Sequence, residues 1–189
     1  MDLSSQQALP VTPQQAWDAL NDIELLRRSI PGCESITPTG EDSFDLLVAA
    51  AIGPVKAKFK GKLRLLDVVP PTSYTMQFDG QGGAAGFGKG TAKVSLSPIA
   101  EGGTMLDYAV HAQVGGKIAQ VGSRLVDMAA QKMAGEFFEN FRRVLEEKYP
   151  PAVEAVEAAP PAAAPAPAAA PGFFARLWAA LRRLFGAGS

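Results

Sequence analysis

The clearest alternation of polar and apolar positions runs from Lys56 to Leu65, KAKFKGKLRL. Lys56, Lys58, Lys60, Lys62 and Arg64 share one parity, and Ala57, Phe59, Gly61, Leu63 and Leu65 the other. A period of two is that of a β-strand with one wet and one dry face. This strand is predicted over 55–68, and others over 43–52, 73–78, 90–96 and 104–114. Gly-Pro, Pro-Pro, a glycine-rich stretch and Gly102-Gly103 separate them. Before the strands the period changes. Thr12-Pro13-Gln14-Gln15 combines an N-cap, a proline at the first helical position and capping-box spacing. Two short helices are predicted, over 12–20 and 22–30, stopped by Pro31-Gly32. From Lys117 to Tyr149 the spacing is helical, over a longer span than in any other predicted element. A short strand, two short helices, five or six antiparallel strands and one long helix predict an α+β domain over 1–149. Its fold class is a curved antiparallel sheet wrapping the C-terminal helix.

The same alternation turns Leu46, Val48, Phe59, Leu63, Tyr74, Met76, Phe78, Val94, Leu106, Tyr108 and Val110 inward. The long helix answers with Gly122, Val126, Ala129, Ala130, Met133, Phe137, Phe141 and Val144, and with an adjoining stripe of Val121, Leu125 and Met128. That apolar surface is wider than one sheet contact needs. Small residues, among them Gly61, Ala92, Gly122, Ala129 and Ala130, recur where bulky ones would fill a core. The pattern permits an apolar cavity between sheet and helix, with polar tips such as the Tyr108 hydroxyl. An ordinary packed core is the alternative. The candidate ligand contacts are Phe59, Leu63, Met76, Phe78, Tyr108 and Val110 on the strands, and Leu125, Val126, Met128, Ala129 and Met133 on the helix.

The end of the chain has a different character. Residues 150–172 are almost wholly Ala and Pro, with seven prolines and no aromatic, and they read as a flexible linker. Residues 173–185 then carry seven large apolar side chains, three arginines and no acid. On a helical wheel Phe173, Phe174, Leu177, Trp178, Leu181, Leu184 and Phe185 occupy an arc of roughly 140°, with Arg176, Arg182 and Arg183 opposite. Such a helix is about 20 Å long, too short to cross a bilayer of about 30 Å. It suits the headgroup plane, apolar face down and arginines toward anionic lipid.

Charge and chemistry narrow the field. The net charge of -1 offers no electrostatic footprint for nucleic acid. MDLSSQQALPVT has neither a basic n-region nor an apolar h-region, so no secretory signal is expected. Cys33 is the single cysteine, which fits a reducing compartment and makes the cytoplasmic face the membrane expected to be met. The basic stripe on 55–68 reads as a solvated outer face that discourages sheet association, or as a dock for an acidic partner or lipid headgroups. GAAGFGKG, from Gly83 to Gly90, approaches a phosphate-binding loop, but Gly90 stands where Ser or Thr is needed, and TAKVSLS after it alternates like a strand. His111, the single histidine, sits on the outer parity of its strand. No structural zinc site, His-based triad or paired acid/base device is expected, so no catalytic residue and no metal ligand is assigned.

IPGCESI (30–36), GPVKAKFKGKLRL (53–65), DGQGGAAGFGKGTAKVSL (79–96) and AQVGGKIAQVGSRLVDMAAQKMAGEFF (112–138) closely resemble the carbon monoxide dehydrogenase G-subunit family of START-like helix-grip domains. The resemblance covers roughly residues 1–148. It implies a helix-grip fold with a deep apolar pocket and association with a molybdenum carbon monoxide dehydrogenase or a related molybdenum hydroxylase. It also implies membrane attachment of that enzyme and a respiratory quinone, menaquinone or ubiquinone, as carried ligand, with no covalent or metal cofactor. An Ala/Pro linker with an amphipathic end is similar to what many members carry. The reading is a non-enzymatic carrier of quinone between membrane and dehydrogenase, peripheral on the cytoplasmic face. A recruitment adaptor that carries no ligand is the alternative, and a START-like cyclase or hydrolase is disfavoured by the missing acid/base pair.

Overall fold

The computed structural model of the chain describes residues 1–150; the rest of the linker and the amphipathic stretch 173–185 lie outside the described residues. Seven strands form one antiparallel sheet in the order β1-β7-β6-β5-β4-β3-β2. They are β1 (Asp2–Leu9), β2 (Cys33–Gly40), β3 (Ser43–Ile52), β4 (Val55–Val69), β5 (Ser73–Gln81), β6 (Phe87–Pro98) and β7 (Thr104–Gly115). β2 to β7 run as a continuous meander, and β1 closes on β7 from the other end of the sequence. The helices are α1 (Pro13–Leu20), α2 (Ile23–Ser29), α3 (Lys117–Gln120) and α4 (Ser123–Lys148). The curved sheet with a long C-terminal helix is the α+β helix-grip arrangement that the element order predicts.

Local chemistry explains the boundaries. The Thr12 side chain accepts from the Gln15 backbone N–H at 3.3 Å while the Gln15 side chain accepts from the Thr12 N–H at 3.0 Å, a complete capping box. Asp22 caps α2 through the Glu24 and Leu25 amides and also pairs with Lys148 at 2.9 Å. Those bonds, the Lys148 bond first, hold its carboxyl below the usual range. The α1–α2 unit is thereby tied to the end of α4, where Arg28 meets Glu147 and the Asn140 amide donates to the Ser29 carbonyl.

Two boundaries differ from the sequence expectation. β2, CESITPTG, is largely exposed, carries Pro38 and has two register shifts against β3, so it has no clean alternation to read. The helix expected over 117–149 is broken at Gly122, whose φ of 95° lies outside helical space and caps α4. On the outer face the basic stripe of β4 is exposed, and Lys62 lies in register with Asp45 and Asp79 while Lys58 pairs with Glu34 at 2.7 Å. GAAGFGKG forms a short 3-10 turn leading into β6, not a helix around a phosphate.

Burial is graded along α4. In its first half Val126 is the buried residue; in its second half Phe138, Phe141, Val144 and Leu145 are all buried. That second half joins Leu9, Val11, Trp17, Leu20, Leu25, Leu96 and Leu106 in one apolar cluster. Phe141, fully buried, stacks on Phe137 at 5.6 Å between ring centroids. The domain is therefore closed at the end where α1, α2 and α4 converge, and α4 carries few buried side chains at its other end.

Candidate functional site

Between the sheet and the middle of α4 lies a cavity of about 460 Å³. Cross-strand register builds its floor in rows. Leu65, Met76, Ala92 and Val110 make one row, and Tyr74, Val94 and Tyr108 the next. Ala130, Met133, Ala134, Phe137 and Phe138 of α4 form the roof, and Leu20, Ile23 and Leu26 of the α1–α2 unit form a side wall. The lining side chains are apolar except for Tyr74, Tyr108 and Asn21. The space exists because small residues face one another: Ala92, 3% exposed, lies on the floor, and Ala130 and Ala134 lie above. Leucine-sized side chains there would close much of it.

Of the candidate ligand contacts, Leu63, Met76, Tyr108, Val110 and Met133 line this cavity. Phe78 occupies the next row, between Leu63 and Gly90. Phe59 lies further along, its ring against Gly82, where an added Cβ would come within 2.5 Å of it. Val126 is buried in a separate depression beside Met1, Phe87, Ala112 and Val114. Leu125, Met128 and Ala129 face a surface groove, with Met133 at its border. The physical reason is the phase of α4. Its cavity-facing stripe is 130, 133, 134, 137 and 138, a rotation of about 150° from the stripe through 125, 128 and 129. Ala130, Ala134, Tyr74 and Ala92 are cavity residues absent from the candidate ligand contacts. Tyr74 shares parity with Met76, and the alanines are marked only by being small.

Both phenols reach the cavity, and they differ in surroundings. Tyr108 stacks on Phe138 at 5.1 Å. Tyr74 meets Trp17 edge-on at 5.8 Å, and desolvation pushes its hydroxyl up to about 12. It therefore stays protonated at physiological pH and can donate to a ligand oxygen. The sign of its effect on stability follows: between about pH 10 and 12 the unfolded chain loses this proton while the native state keeps it. Its contribution, on the order of 2–3 kcal/mol, is fully present below pH 10 and disappears as pH rises through 12. Ultraviolet titration of the phenolates in wild type and Tyr74→Phe should show one late-titrating group missing from the variant. Identical curves would contradict this assignment.

Among the described residues, the cavity lining includes no His, Cys, Asp, Glu, Lys or Arg. Among the described residues, no group of three or more His, Cys, Asp and Glu could hold a metal. His111 is exposed on the outer face, where Nδ1 lies 2.6 Å from Oδ1 of Asp2 and fastens β1 to β7. That hydrogen bond holds the Asp2 carboxyl below its usual range. Burial pushes the Cys33 thiol up, away from the reactive thiolate. No described helix is long and apolar enough to cross a membrane.

A sheet gripping a long helix around an apolar cavity defines a START-like helix-grip domain. The chain belongs to the carbon monoxide dehydrogenase G-subunit (CoxG) family, whose model matches residues 6–146. A solved conserved protein from Geobacillus kaustophilus is similar at 29% identity and TM-score 0.74, covering 78% of this chain and 97% of that one. A START superfamily protein from Mycobacterium smegmatis shares the fold at 13% identity and TM-score 0.61, covering 78% and 98%. A comparison with curated proteins finds no match.

Proposed function

We propose that the protein is a non-catalytic accessory of a molybdenum carbon monoxide dehydrogenase, or a related molybdenum hydroxylase, that binds a respiratory quinone and carries it between membrane and enzyme. Family membership supports the association with the dehydrogenase. The observation that carries the ligand reading is the apolar cavity of about 460 Å³ with two phenols in one row of its floor. Its volume is in the range that holds a small organic ligand. A quinone ring is flat and mostly apolar with two carbonyl acceptors, and a protonated phenol is a matching donor. A dry pocket replaces lipid at little cost for such a molecule, which water excludes.

The amphipathic stretch 173–185, which lies outside the described residues, supplies the membrane part of this reading from its sequence. A tether to the cytoplasmic face would raise the carrier's effective concentration near its ligand. The adaptor reading needs the tether and the dehydrogenase contact but no cavity. Mass spectrometry of organic extracts from the purified full-length protein separates the two. Quinone at a near-stoichiometric level supports the carrier; a protein free of quinone, and unable to take it up, supports the adaptor.

A further inference from the structure

The cavity has a neighbour on the protein surface. A groove of about 560 Å³ runs between the first half of α4 and the end of β3, lined by Ala49–Ala51, Leu125, Met128 and Ala129 and by Lys132 and Glu136, which pair with each other at 3.7 Å. Leu125 is 42% exposed and Met128 57%, unusual for large apolar side chains. The groove exists because β2 pairs with β3 only as far as Val48, leaving Ala49–Ala51 uncovered by that strand. The turn before β2 closes in instead: Gly32, at φ +70°, accepts the Ala49 amide at 2.8 Å, and any Cβ there would collide with the Ala49 carbonyl.

Two residues, Pro31 and Met133, line both the groove and the cavity. The wall between the two spaces is therefore thin, and one of its members is an unbranched thioether that changes rotamer readily. The volumes add a second argument. A space of about 460 Å³ sits low in the range of about 300–1,000 Å³ that encloses drug-sized ligands. It takes a ring system and the start of a side chain, not a polyisoprenoid tail of many units. The remainder must leave the cavity, and hydrocarbon emerging past Met133 meets Leu125 and Met128 rather than water.

We propose that this groove is the tail subsite for the cavity's ligand: the ring sits under Ala130 and Ala134, and the polyisoprenoid tail passes Met133 and Pro31 to lie along Leu125 and Met128. This rests on the quinone reading above and adds to it a second site with its own specificity, for hydrocarbon length rather than for the ring. The tail would cover Leu125 and Met128 on the exposed face of α4.

The test uses the full-length protein and two probes, 2-methyl-1,4-naphthoquinone without a tail and its derivative with a four-isoprene tail, titrated by quenching of tryptophan emission. Wild type should bind the tailed probe at least about tenfold more tightly, as expected for burying several additional methylene-sized groups. Leu125→Glu with Met128→Lys should remove that advantage while leaving the affinity for the tailless probe within about twofold. Met128→Lys alone, at the more exposed position, is a second variant, and an unchanged thermal transition verifies folding. If wild type and variants hold the tailed probe equally, the tail lies elsewhere and the groove assignment is overturned while the cavity reading stands. If wild type binds neither probe, the quinone reading itself fails, and the tail subsite with it.

Discussion

Ala130→Phe should weaken quinone binding by well over tenfold and leave the domain folded. Ala130 is on the roof of the cavity, opposite a floor that includes Ala92. In a close-packed core the added ring would force its neighbours apart at about 1–3 kcal/mol. Over an open space of about 460 Å³ it has room, so the denaturation midpoint should move by less than about 1 kcal/mol equivalent. The ligand, in contrast, loses the volume the phenyl ring occupies. Burial of a Phe-sized group is worth about 2–3 kcal/mol, so affinity should fall by about 30- to 150-fold. Urea denaturation and quinone titration of the same preparation read both quantities. A large loss of stability would mean that helix and sheet are already in contact at this position. Ala129→Phe, on the groove side, is the matched control when the probe is a naphthoquinone without a tail, because it leaves the ring compartment unaltered.

Phe141→Ala should have the opposite signature, a severe loss of stability whose origin is packing. Phe141 is fully buried among the residues that join α4 to α1, α2 and the ends of the strands, and its partner Phe137 would lose a stacked neighbour. Removing a core phenylalanine costs about 3–5 kcal/mol. That is a large fraction of the 5–15 kcal/mol that typically separates native from unfolded chains. Urea denaturation monitored by circular dichroism should therefore place the midpoint far below that of wild type. A cost under about 1 kcal/mol would show that the closed end of the domain is not where its stability resides. The two substitutions test one claim from both sides: α4 is packed through Phe141 and roofs an open space at Ala130.

Much of the fold was legible because its signals are local. The strict parity of 56–65 fixed which face of β4 is dry, and the structure keeps all five basic residues exposed. The capping box at Thr12 and the Pro31-Gly32 stop located α1 and α2 within a residue or two. β2 escaped because an exposed edge strand with a proline needs no alternation; its register comes from β3. The break at Gly122 escaped because an isolated glycine inside a helical pattern can also be tolerated, as Gly135 is within α4.

The site was legible in part, for a geometric reason. Strand parity is binary, so Leu63, Met76, Tyr108 and Val110 could be assigned inward from sequence alone. Position along a strand is not encoded by parity: Phe59 lies past the Leu46 row at the cavity's end, and Phe78, although in the Leu63 row, is not among the lining residues. Helix phase is finer still: Ala129 and Ala130 differ by about 100° and face different spaces, groove and cavity. Apolar residues on two adjoining stripes of one helix leave that phase undetermined until the sheet is placed beneath it. The widened apolar surface noted on α4 has its counterpart in the structure as two neighbouring spaces rather than one broad wall.

The central claim is that the cavity between sheet and α4 takes a quinone out of a membrane. Its most direct measurement is transfer. Vesicles of anionic phospholipid loaded with menaquinone are mixed with the full-length protein, free protein is separated from the vesicles, and quinone in the protein fraction is quantified against protein. The account predicts close to one quinone per chain for wild type and little for Ala130→Phe at equal folded concentration. Equal quinone in both fractions, or none with wild type, would contradict it.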